Sequence, residues 1–108
     1  MLAGLPGEIL AKLAKRMERE EIAPGTVLMR EGESGDRFYV LVAGVLAVSQ
    51  RDLGARSLLR PGDYFGEVAV TMGMPRTATI SAMTPAVVAS CDRETFDELV
   101  RPLFADDD

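Results

Sequence analysis

Short segments of β-forming residues, separated by turn signals, fill residues 22–91. The turn signals are Pro24-Gly25, Gly32, Gly35-Asp36, Ala43-Gly44, Asp52-Leu53-Gly54 and Pro61-Gly62-Asp63. Between them we predict strands over residues 26–30, 38–42, 45–49, 56–59, 76–82 and 86–91. Short strands with a turn about every 8–12 residues are typical of a β-sandwich or β-barrel. The segment 38–42 is apolar on both faces, which predicts a central strand or one covered by a helix.

Two flanking segments have the spacing of amphipathic helices. Residues 5–21 carry an apolar stripe formed by Ile9, Leu10, Leu13 and Met17. Residues 92–101 begin with Asp92, a residue type that caps helix N-termini, and carry a helical apolar stripe formed by Phe96, Leu99 and Val100. Pro102 is expected to end this second helix, and the acidic tail 105–108 is expected to be solvated.

The stretch 62–80 contains the most informative chemistry of the chain. Gly66 and Gly73 bracket the short apolar run 67–72, which predicts one or two helical turns closed by Gly73 in the left-handed conformation. The first turn of a helix leaves backbone N–H groups without partners, and a glycine there lets an anion approach. This short helix is therefore a candidate for an anion-binding element.

Arg76 is the unusual residue of the strand predicted over residues 76–82. It shares a face with Ala78, Ile80 and Ala82, whereas Thr77, Thr79 and Ser81 occupy the other face. If the apolar face points inward, a guanidinium lies at the mouth of the core, where a charge needs a partner. A cation beside a helix N-terminus suggests a bound phosphate. Glu67 has the wrong charge for a phosphate, but its carboxylate suits a hydroxyl donor such as a ribose.

These residues resemble a known family. Phe65-Gly66-Glu67-Val68-Ala69, followed by Pro75-Arg76-Thr77-Ala78-Thr79, is similar to the phosphate-binding cassette of cyclic nucleotide-binding domains. Upstream, Pro24-Gly25, the run EGESGDRFYV at residues 31–40 and Gly44 resemble the front half of that family. The family includes regulatory domains of cyclic-nucleotide-dependent protein kinases, gating domains of ion channels and the sensor half of catabolite activator proteins. The resemblance covers residues 5–101.

The resemblance implies a mainly β fold, namely a jelly roll (a double-stranded β-helix, or β-roll) of about eight strands. The single domain 1–108 would consist of an N-terminal helix at 5–21, the β-roll at 22–91 and a C-terminal helix at 92–101. A short cassette helix would lie within the cassette, at 62–80.

The resemblance also implies a ligand site for cAMP or cGMP, with no catalytic residue, metal or cofactor. The expected ligand-binding residues are Phe65, Gly66, Glu67, Val68, Ala69, Pro75, Arg76, Thr77 and Ala78. Arg76 would hold the equatorial oxygens of the cyclic phosphate, and Glu67 would accept from the ribose 2′-hydroxyl. Backbone N–H groups of Val68, Ala69 and Thr77 would complete the phosphate cradle.

The choice between the two nucleotides stays open at this point. In the family, a Ser or Thr at the position of Thr77 can contact both the phosphate and guanine, whereas Ala is common there in cAMP-dependent kinases. Val48, Leu58, Phe65 and Val68 are candidates for the wall beside the base, although the sequence does not separate them from core residues.

Composition argues against several other functions. The net charge of −5 disfavours a general surface for nucleic acid or an anionic membrane. The chain has no His, the usual general base and a common metal ligand, and its single Cys91 allows no internal disulfide. We expect Cys91 to be a small residue at a strand end rather than a reactive thiol. With no long apolar stretch and no secretion signal, a cytoplasmic location is expected.

The predicted function is a regulatory sensor, not an enzyme, that passes the binding of a cyclic nucleotide through its helices to an effector of unidentified type. The isolated chain is expected to be monomeric. One alternative is a degenerate jelly-roll interaction domain that binds no nucleotide, which the intact Glu67 and Arg76 disfavour. Another is a cupin-like enzyme, which the lack of His disfavours. A transcription factor of the catabolite activator type would need a helix-turn-helix after the sensor, and the chain ends before one.

The sequence departs from the family pattern after the second helix. Family members usually continue with another helix that covers the base as a lid, whereas here Pro102 and the acidic tail leave few residues. The chain is therefore expected to be an excised sensor, to lack the lid, or to receive it from a partner.

Overall fold

The computed structural model describes residues 15–51, 54–66, 73 and 75–100. Within these residues the strands are β1 (Glu18–Ile22), β2 (Val27–Met29), β3 (Phe38–Ala43), β4 (Leu46–Gln50), β5 (Gly54–Leu59), β6 (Tyr64–Phe65), β7 (Thr79–Ala82) and β8 (Ala86–Cys91). A C-terminal helix follows β8; it is α-helical over Arg93–Thr95 and π-helical over Phe96–Val100.

The strands form two antiparallel sheets of four strands each. The first sheet has the order β1-β8-β3-β6, and the second has the order β2-β7-β4-β5. Strands that are consecutive in sequence often belong to different sheets, so the chain crosses repeatedly between the two layers, as in a jelly roll. The expectation of a mainly β roll of about eight strands is confirmed.

Apolar side chains from both sheets meet in the space between them. This core consists of Ile22, Met29, Leu41, Leu46, Phe65, Ile80, Ala82, Ala86 and Val88. The opposite face of β3 is also buried, because the ring of Phe38 contacts the ring of Phe96 in the C-terminal helix, with centroids 5.0 Å apart. Strand β3 is thus an inner strand of its sheet and is covered by a helix, as its two apolar faces predicted.

The predicted strands occur with small shifts at their ends. Strand β8 has the predicted bounds, β3 is one residue longer than predicted at its end, and β4 is shifted by one residue at both ends. Strand β7 begins at Thr79 and not at the predicted residue 76, because Arg76 forms its backbone hydrogen bonds with the loop before β3. Gly73 has a φ of +66°, which confirms the predicted left-handed conformation.

Strand β1 corrects the helix predicted over residues 5–21. Lys15 and Arg16 are helical, but Glu18–Ile22 is a strand; residues 5–14 lie outside the described part of the chain. All of β1 pairs with β8, and within β1 only Ile22 is buried. A strand at the edge of a sheet, with most of its side chains exposed, shows no alternation of apolar residues. Glu and Arg favour a helix, so the sequence of β1 does not reveal that pairing with β8 makes it a strand.

The C-terminal helix begins as predicted. The Asp92 carboxylate accepts a hydrogen bond of 2.8 Å from the backbone N–H of Thr95, the geometry of an N-cap. This hydrogen bond lowers the pKa of the Asp92 carboxyl. Phe96 of the predicted apolar stripe is fully buried. The predicted helix end and the acidic tail, residues 101–108, lie outside the described residues.

Cys91 is the last residue of β8 and is 4% exposed, as expected for a structural residue. Burial, together with the neighbouring Asp92 carboxylate, raises the pKa of its thiol from 9.0 to about 11, although Arg37 partly opposes this. Since the thiolate is the reactive form, we expect the folded protein to react with a disulfide reagent at pH 8 much more slowly than the unfolded protein. Absorbance of the released thiol measures both rates, and equal rates would contradict the burial of Cys91.

The same pKa shift has a consequence for stability. Because the unfolded thiol ionises first, the stabilisation from the neutral folded thiol is fully present below about pH 9 and is lost as the pH rises toward about 11. Replacing Cys91 by Ala should remove this part of the pH dependence, which denaturant unfolding at several pH values measures.

Candidate functional site

Arg76 lies on the inner face of the second sheet, just before β7. The residue is 7% exposed, and its neighbours on the same face, Ala78 and Ile80, are also buried, whereas Thr77 is exposed. The predicted alternation is confirmed, although these first residues precede the strand itself. The protein therefore buries a guanidinium at the end of its apolar core.

The backbone of Arg76 is fixed by the loop between β2 and β3. Its N–H donates to the carbonyl of Glu33 at 2.8 Å, and its carbonyl accepts from the N–H of Gly32 at 2.9 Å. This reciprocal pair joins residues more than forty positions apart in the sequence. It holds Arg76 in place while leaving the side chain free to point between the two sheets.

The guanidinium of Arg76 has only weak neutral acceptors in the part of the chain that the structure describes. Its Nη1 donates to the carbonyls of Arg37 at 3.3 Å and Gly66 at 3.4 Å. Both distances are long for N–H···O bonds. The ion pairs formed by the described residues, Arg16–Glu98 and Arg37–Glu18, do not include Arg76. A buried cation that has no charged partner among the described residues favours an anion.

The guanidinium of Arg76 occupies space that is open because two neighbouring residues are glycines. A Cβ on Gly35 would lie 2.5 Å from Nε and 2.6 Å from Nη2 of Arg76, so a larger residue would displace the side chain. A Cβ on Gly66 would lie 2.7 Å from the carbonyl oxygen of Arg37 and 3.0 Å from Nη1 of Arg76. Gly66 also has a φ of +89°, which favours glycine.

An aromatic pair forms the floor of the site. Tyr39 of β3 and Phe65 of β6 lie opposite each other, with ring centroids 4.9 Å apart and planes 4° from parallel. The guanidinium carbon of Arg76 lies 6.0 Å from the centroid of the Tyr39 ring, at the outer limit of a cation–π contact. The ring of Tyr39 therefore lies beneath the guanidinium of Arg76.

The structure brings several predicted site residues together. Phe65, Gly66 and Arg76 converge on one spot, and Ala78 is buried beside them. Pro75 and Thr77 flank Arg76 and are exposed. Glu67, Val68 and Ala69, together with the rest of the predicted cassette helix, 70–72, lie outside the described residues.

One of the residues predicted to form the wall beside the base lies on the other face of its sheet. Leu58 pairs with Ala47, whereas the neighbouring pair Leu46 and Leu59 faces the core, so Leu58 points to the outer face of the second sheet and is 41% exposed. The prediction for Leu58 is wrong, because its side of the sheet depends on the strand register. Val48 does pack against the core.

The sequence patterns did not identify Gly35 and Tyr39 as site residues. By local pattern, Gly35 is only part of a turn and Tyr39 is only an apolar position of a strand. Their roles arise from contacts with Arg76, about forty residues away in sequence. The usable signal was the glycine pair Gly32 and Gly35 in front of a strand, since closely spaced glycines often allow close approach of another group.

Two other kinds of site are absent from the described residues. These contain no cluster of three or more His, Cys, Asp or Glu side chains that could hold a metal ion. They also contain no helix that is both long enough and apolar enough to cross a bilayer.

Known proteins with similar sequences include components of kinases that depend on cyclic nucleotides. The regulatory subunit of cAMP-dependent protein kinase from Yarrowia lipolytica is 39% identical over 94 residues, which are 86% of this chain and 25% of that protein. The cGMP-dependent protein kinase isozyme 1 of Drosophila melanogaster is 38% identical over 111 residues, covering 95% of this chain and 14% of that protein. The chain thus spans a quarter or less of the length of either relative.

A crystallised relative has the same fold. The regulatory domain of Toxoplasma gondii PKA, determined with cAMP, superposes with a TM-score of 0.76 at 28% sequence identity, covering 92% of this chain and 39% of that chain. The family model of the cyclic nucleotide-binding domain matches residues 19–102, which include Arg76 and, apart from Glu18, all described strands. From its sequence and its β-roll, the chain therefore belongs to the cyclic nucleotide-binding domain family.

Proposed function

We propose that the chain is a non-catalytic regulatory sensor that binds cAMP or cGMP, with the cyclic phosphate on Arg76. The observation that carries this proposal is a buried guanidinium whose hydrogen bonds, within the described residues, go to carbonyl oxygens at 3.3 and 3.4 Å. A phosphate oxygen is a stronger acceptor, and charge-assisted bonds to it are shorter and about twice as strong as neutral ones. An anionic ligand would therefore bond to this guanidinium more strongly than the described carbonyls do.

The relatives support the ligand class. Their names describe a cAMP-dependent and a cGMP-dependent kinase, and the Toxoplasma regulatory domain was crystallised with cAMP. These facts favour a cyclic nucleotide over other phosphates but do not choose the base. Thr77 is exposed beside Arg76, where a hydroxyl suits contact with a phosphate or with a guanine amino group.

The remaining contacts of the ligand are proposals from the sequence motif. Glu67 would accept a hydrogen bond from the ribose 2′-hydroxyl, and backbone N–H groups of Val68, Ala69 and Thr77 would bind phosphate oxygens. The position of Gly66 supports this arrangement, because Gly66 already contacts Arg76 and precedes Glu67 directly in the chain.

The signal would pass to an effector through the helices that flank the β-roll. The contact of Phe38 with Phe96 supports this route, since it connects the strand that follows the site loop with the C-terminal helix. The effector would be another part of a longer protein or a separate partner; the relatives point to a kinase as one possibility.

The function is tested by replacing Arg76 with Ala and measuring nucleotide affinity by calorimetry. Losing one partner of a buried charge pair costs about 2–5 kcal/mol, so the Kd of cAMP or cGMP should rise by roughly 30-fold to several-thousand-fold. The free energy of unfolding should change much less, because the side-chain bonds lost among the described residues are two long ones to carbonyls.

Arg60→Ala is the matched control for this variant. Arg60 is an exposed arginine that follows Leu59, and Leu59 pairs with Leu46 at the end of the second sheet opposite to Arg76. The control should bind as the unmodified protein does. If no cyclic nucleotide binds at all, the chain is an interaction domain and the sensor function is wrong. If Arg76→Ala binds as the unmodified protein does, the cyclic phosphate does not lie on Arg76 and that assignment is wrong.

Replacing Gly35 by Ala should weaken binding without greatly destabilising the fold. The new methyl group would displace the end of the flexible Arg76 side chain and not the backbone. Losing charge-assisted bonds to phosphate should raise the Kd by roughly 10- to 150-fold, corresponding to about 1.5–3 kcal/mol.

Gly25→Ala gives the opposite pattern and serves as the control for Gly35. Gly25 has a φ of +84° and open space around its Cβ position, so Ala there should cost about 1 kcal/mol of stability and leave the Kd unchanged. Thermal unfolding and calorimetry on both variants distinguish the two effects. An unchanged Kd for Gly35→Ala would show that the position of the guanidinium does not determine binding.

The proposed role of Glu67 is tested with the 2′-deoxy form of the nucleotide. A hydrogen bond to a charged acceptor contributes about 1.5–3 kcal/mol, so the unmodified protein should bind the 2′-deoxy form roughly 10- to 150-fold more weakly. In Glu67→Ala this difference between the two ligands should disappear. If the unmodified protein binds both forms equally, Glu67 does not contact the 2′-hydroxyl.

A further inference from the structure

Four residues lie in a row across the first sheet. Glu18 of β1 is opposite Ser90 of β8, Ser90 is opposite Tyr39 of β3, and Tyr39 is opposite Phe65 of β6. Directly opposed residues in antiparallel strands share one face of the sheet. This cross-sheet row (Glu18, Ser90, Tyr39 and Phe65) therefore runs from one edge of the sheet to the other, and Arg76 lies over its Tyr39.

Arg37 connects the two halves of this row. Its carbonyl oxygen accepts the hydrogen bond from Nη1 of Arg76 at 3.3 Å. Its side chain extends the other way, where Nη2 donates to Oγ of Ser90 at 3.0 Å and to Oε1 of Glu18 at 2.7 Å. One residue thus contacts the proposed phosphate-binding arginine through its backbone and the first strand through its guanidinium.

The two side-chain contacts of Arg37 differ in strength. Glu18 is 82% exposed, so the ion pair is screened by water and worth little by itself. Ser90 is buried, and a hydrogen bond between its hydroxyl and a charged group contributes more. We therefore assign the anchoring of Arg37 mainly to Ser90, with Glu18 orienting the guanidinium.

Arg37 also lies near the start of the C-terminal helix. The pKa of the Asp92 carboxyl is lowered chiefly by the hydrogen bond from Thr95, and the positive charge of Arg37 contributes to the same shift. The side chain of Arg37 is therefore close to the strand that opens the described β-roll and to the cap of the helix that follows it.

We propose that Arg37 is a positioning residue that couples the phosphate site at Arg76 to the first strand, and this inference rests on the proposed function. The anchored side chain of Arg37 holds its backbone carbonyl against Nη1 of Arg76. This contact fixes the guanidinium of Arg76 in the position that binds the ligand. By linkage, a ligand that changes the contact at Arg76 also changes the restraint on Glu18. Glu18 is then a remote determinant of affinity, although it lies at the far edge of the sheet.

The first experiment compares Arg37→Met and Arg37→Lys with the unmodified protein. The Met variant loses both side-chain hydrogen bonds, and we expect the Kd of the cyclic nucleotide to rise about 3- to 10-fold, the effect of one hydrogen bond. Lys keeps a charged donor for Ser90 or Glu18 and should restore part of the affinity. A Kd for Arg37→Met equal to that of the unmodified protein would overturn the inference.

The second experiment asks whether Arg37 acts through Arg76. In an Arg76→Lys background the cation remains, but the guanidinium geometry is lost, so adding Arg37→Met should change the Kd by less than about twofold. The same loss in both backgrounds would mean that Arg37 only supports the fold, and would overturn the coupling.

Glu18→Gln and Glu98→Gln form a matched pair for the remote effect. Both glutamates are exposed and bonded to an arginine, but the partner of Glu98 is Arg16, and the bonds described for Arg16 do not include the site. Glu18→Gln should raise the Kd by about two- to threefold, in the range of an exposed ion pair, and Glu98→Gln should not change it. Equal effects of the two variants would exclude Glu18 as a specific determinant.

A measurement without nucleotide separates this inference from the proposed function. Denaturant unfolding of the free protein, of Arg37→Met, of Arg76→Lys and of the double variant forms a thermodynamic cycle. Residues in contact should be non-additive by at least about twofold in the unfolding equilibrium constant. If no cyclic nucleotide binds, the proposed function fails and the cycle still tests the contact; additive effects with normal binding overturn only the inference.

Discussion

The burial of one guanidinium imposes most of the local constraints in this β-roll. A cation at the end of an apolar core is costly unless acceptors surround it. The described residues supply only the carbonyls of Arg37 and Gly66, with the ring of Tyr39 beneath. Glycines at positions 35 and 66 are needed because any Cβ there would collide with the guanidinium or its acceptors. Within the described residues, the site is therefore shaped around a charge whose hydrogen bonds to neutral acceptors are long.

The jelly-roll topology explains how distant segments reach this charge. The loop before β3 contributes Gly32, Glu33 and Gly35, the end of β6 contributes Gly66, and the segment before β7 contributes Arg76. Strands β3 and β6 belong to the first sheet and β7 to the second, so the site closes one end of the space between the layers. A ligand bound there would therefore lie between the two sheets, beside segments that are distant in the sequence.

Local signals explain why much of the architecture could be predicted from the sequence. The alternation after Pro75 placed Arg76 on the inner face, and Asp92 marked the start of the C-terminal helix; both depend on near neighbours in the chain. Strand β1 and the outward position of Leu58 depend on pairing and register between distant strands, which the pattern of a single segment does not contain. Gly35 illustrates the same limit, because a local turn pair turned out to be a point of long-range contact with Arg76.

The central claim is that the buried guanidinium of Arg76 exists to bind a cyclic phosphate, and calorimetric titration with cAMP, cGMP and linear 5′-AMP tests it most directly. In the cyclic compounds the phosphate is fixed to the ribose, so one rigid ligand reaches Arg76 and the ribose contact together, whereas 5′-AMP must lose rotational freedom to do so. We expect saturable one-to-one binding of at least one cyclic nucleotide and much weaker binding of 5′-AMP. Equal affinity for 5′-AMP, or no heat of binding with any of the three at millimolar concentration, would contradict the claim.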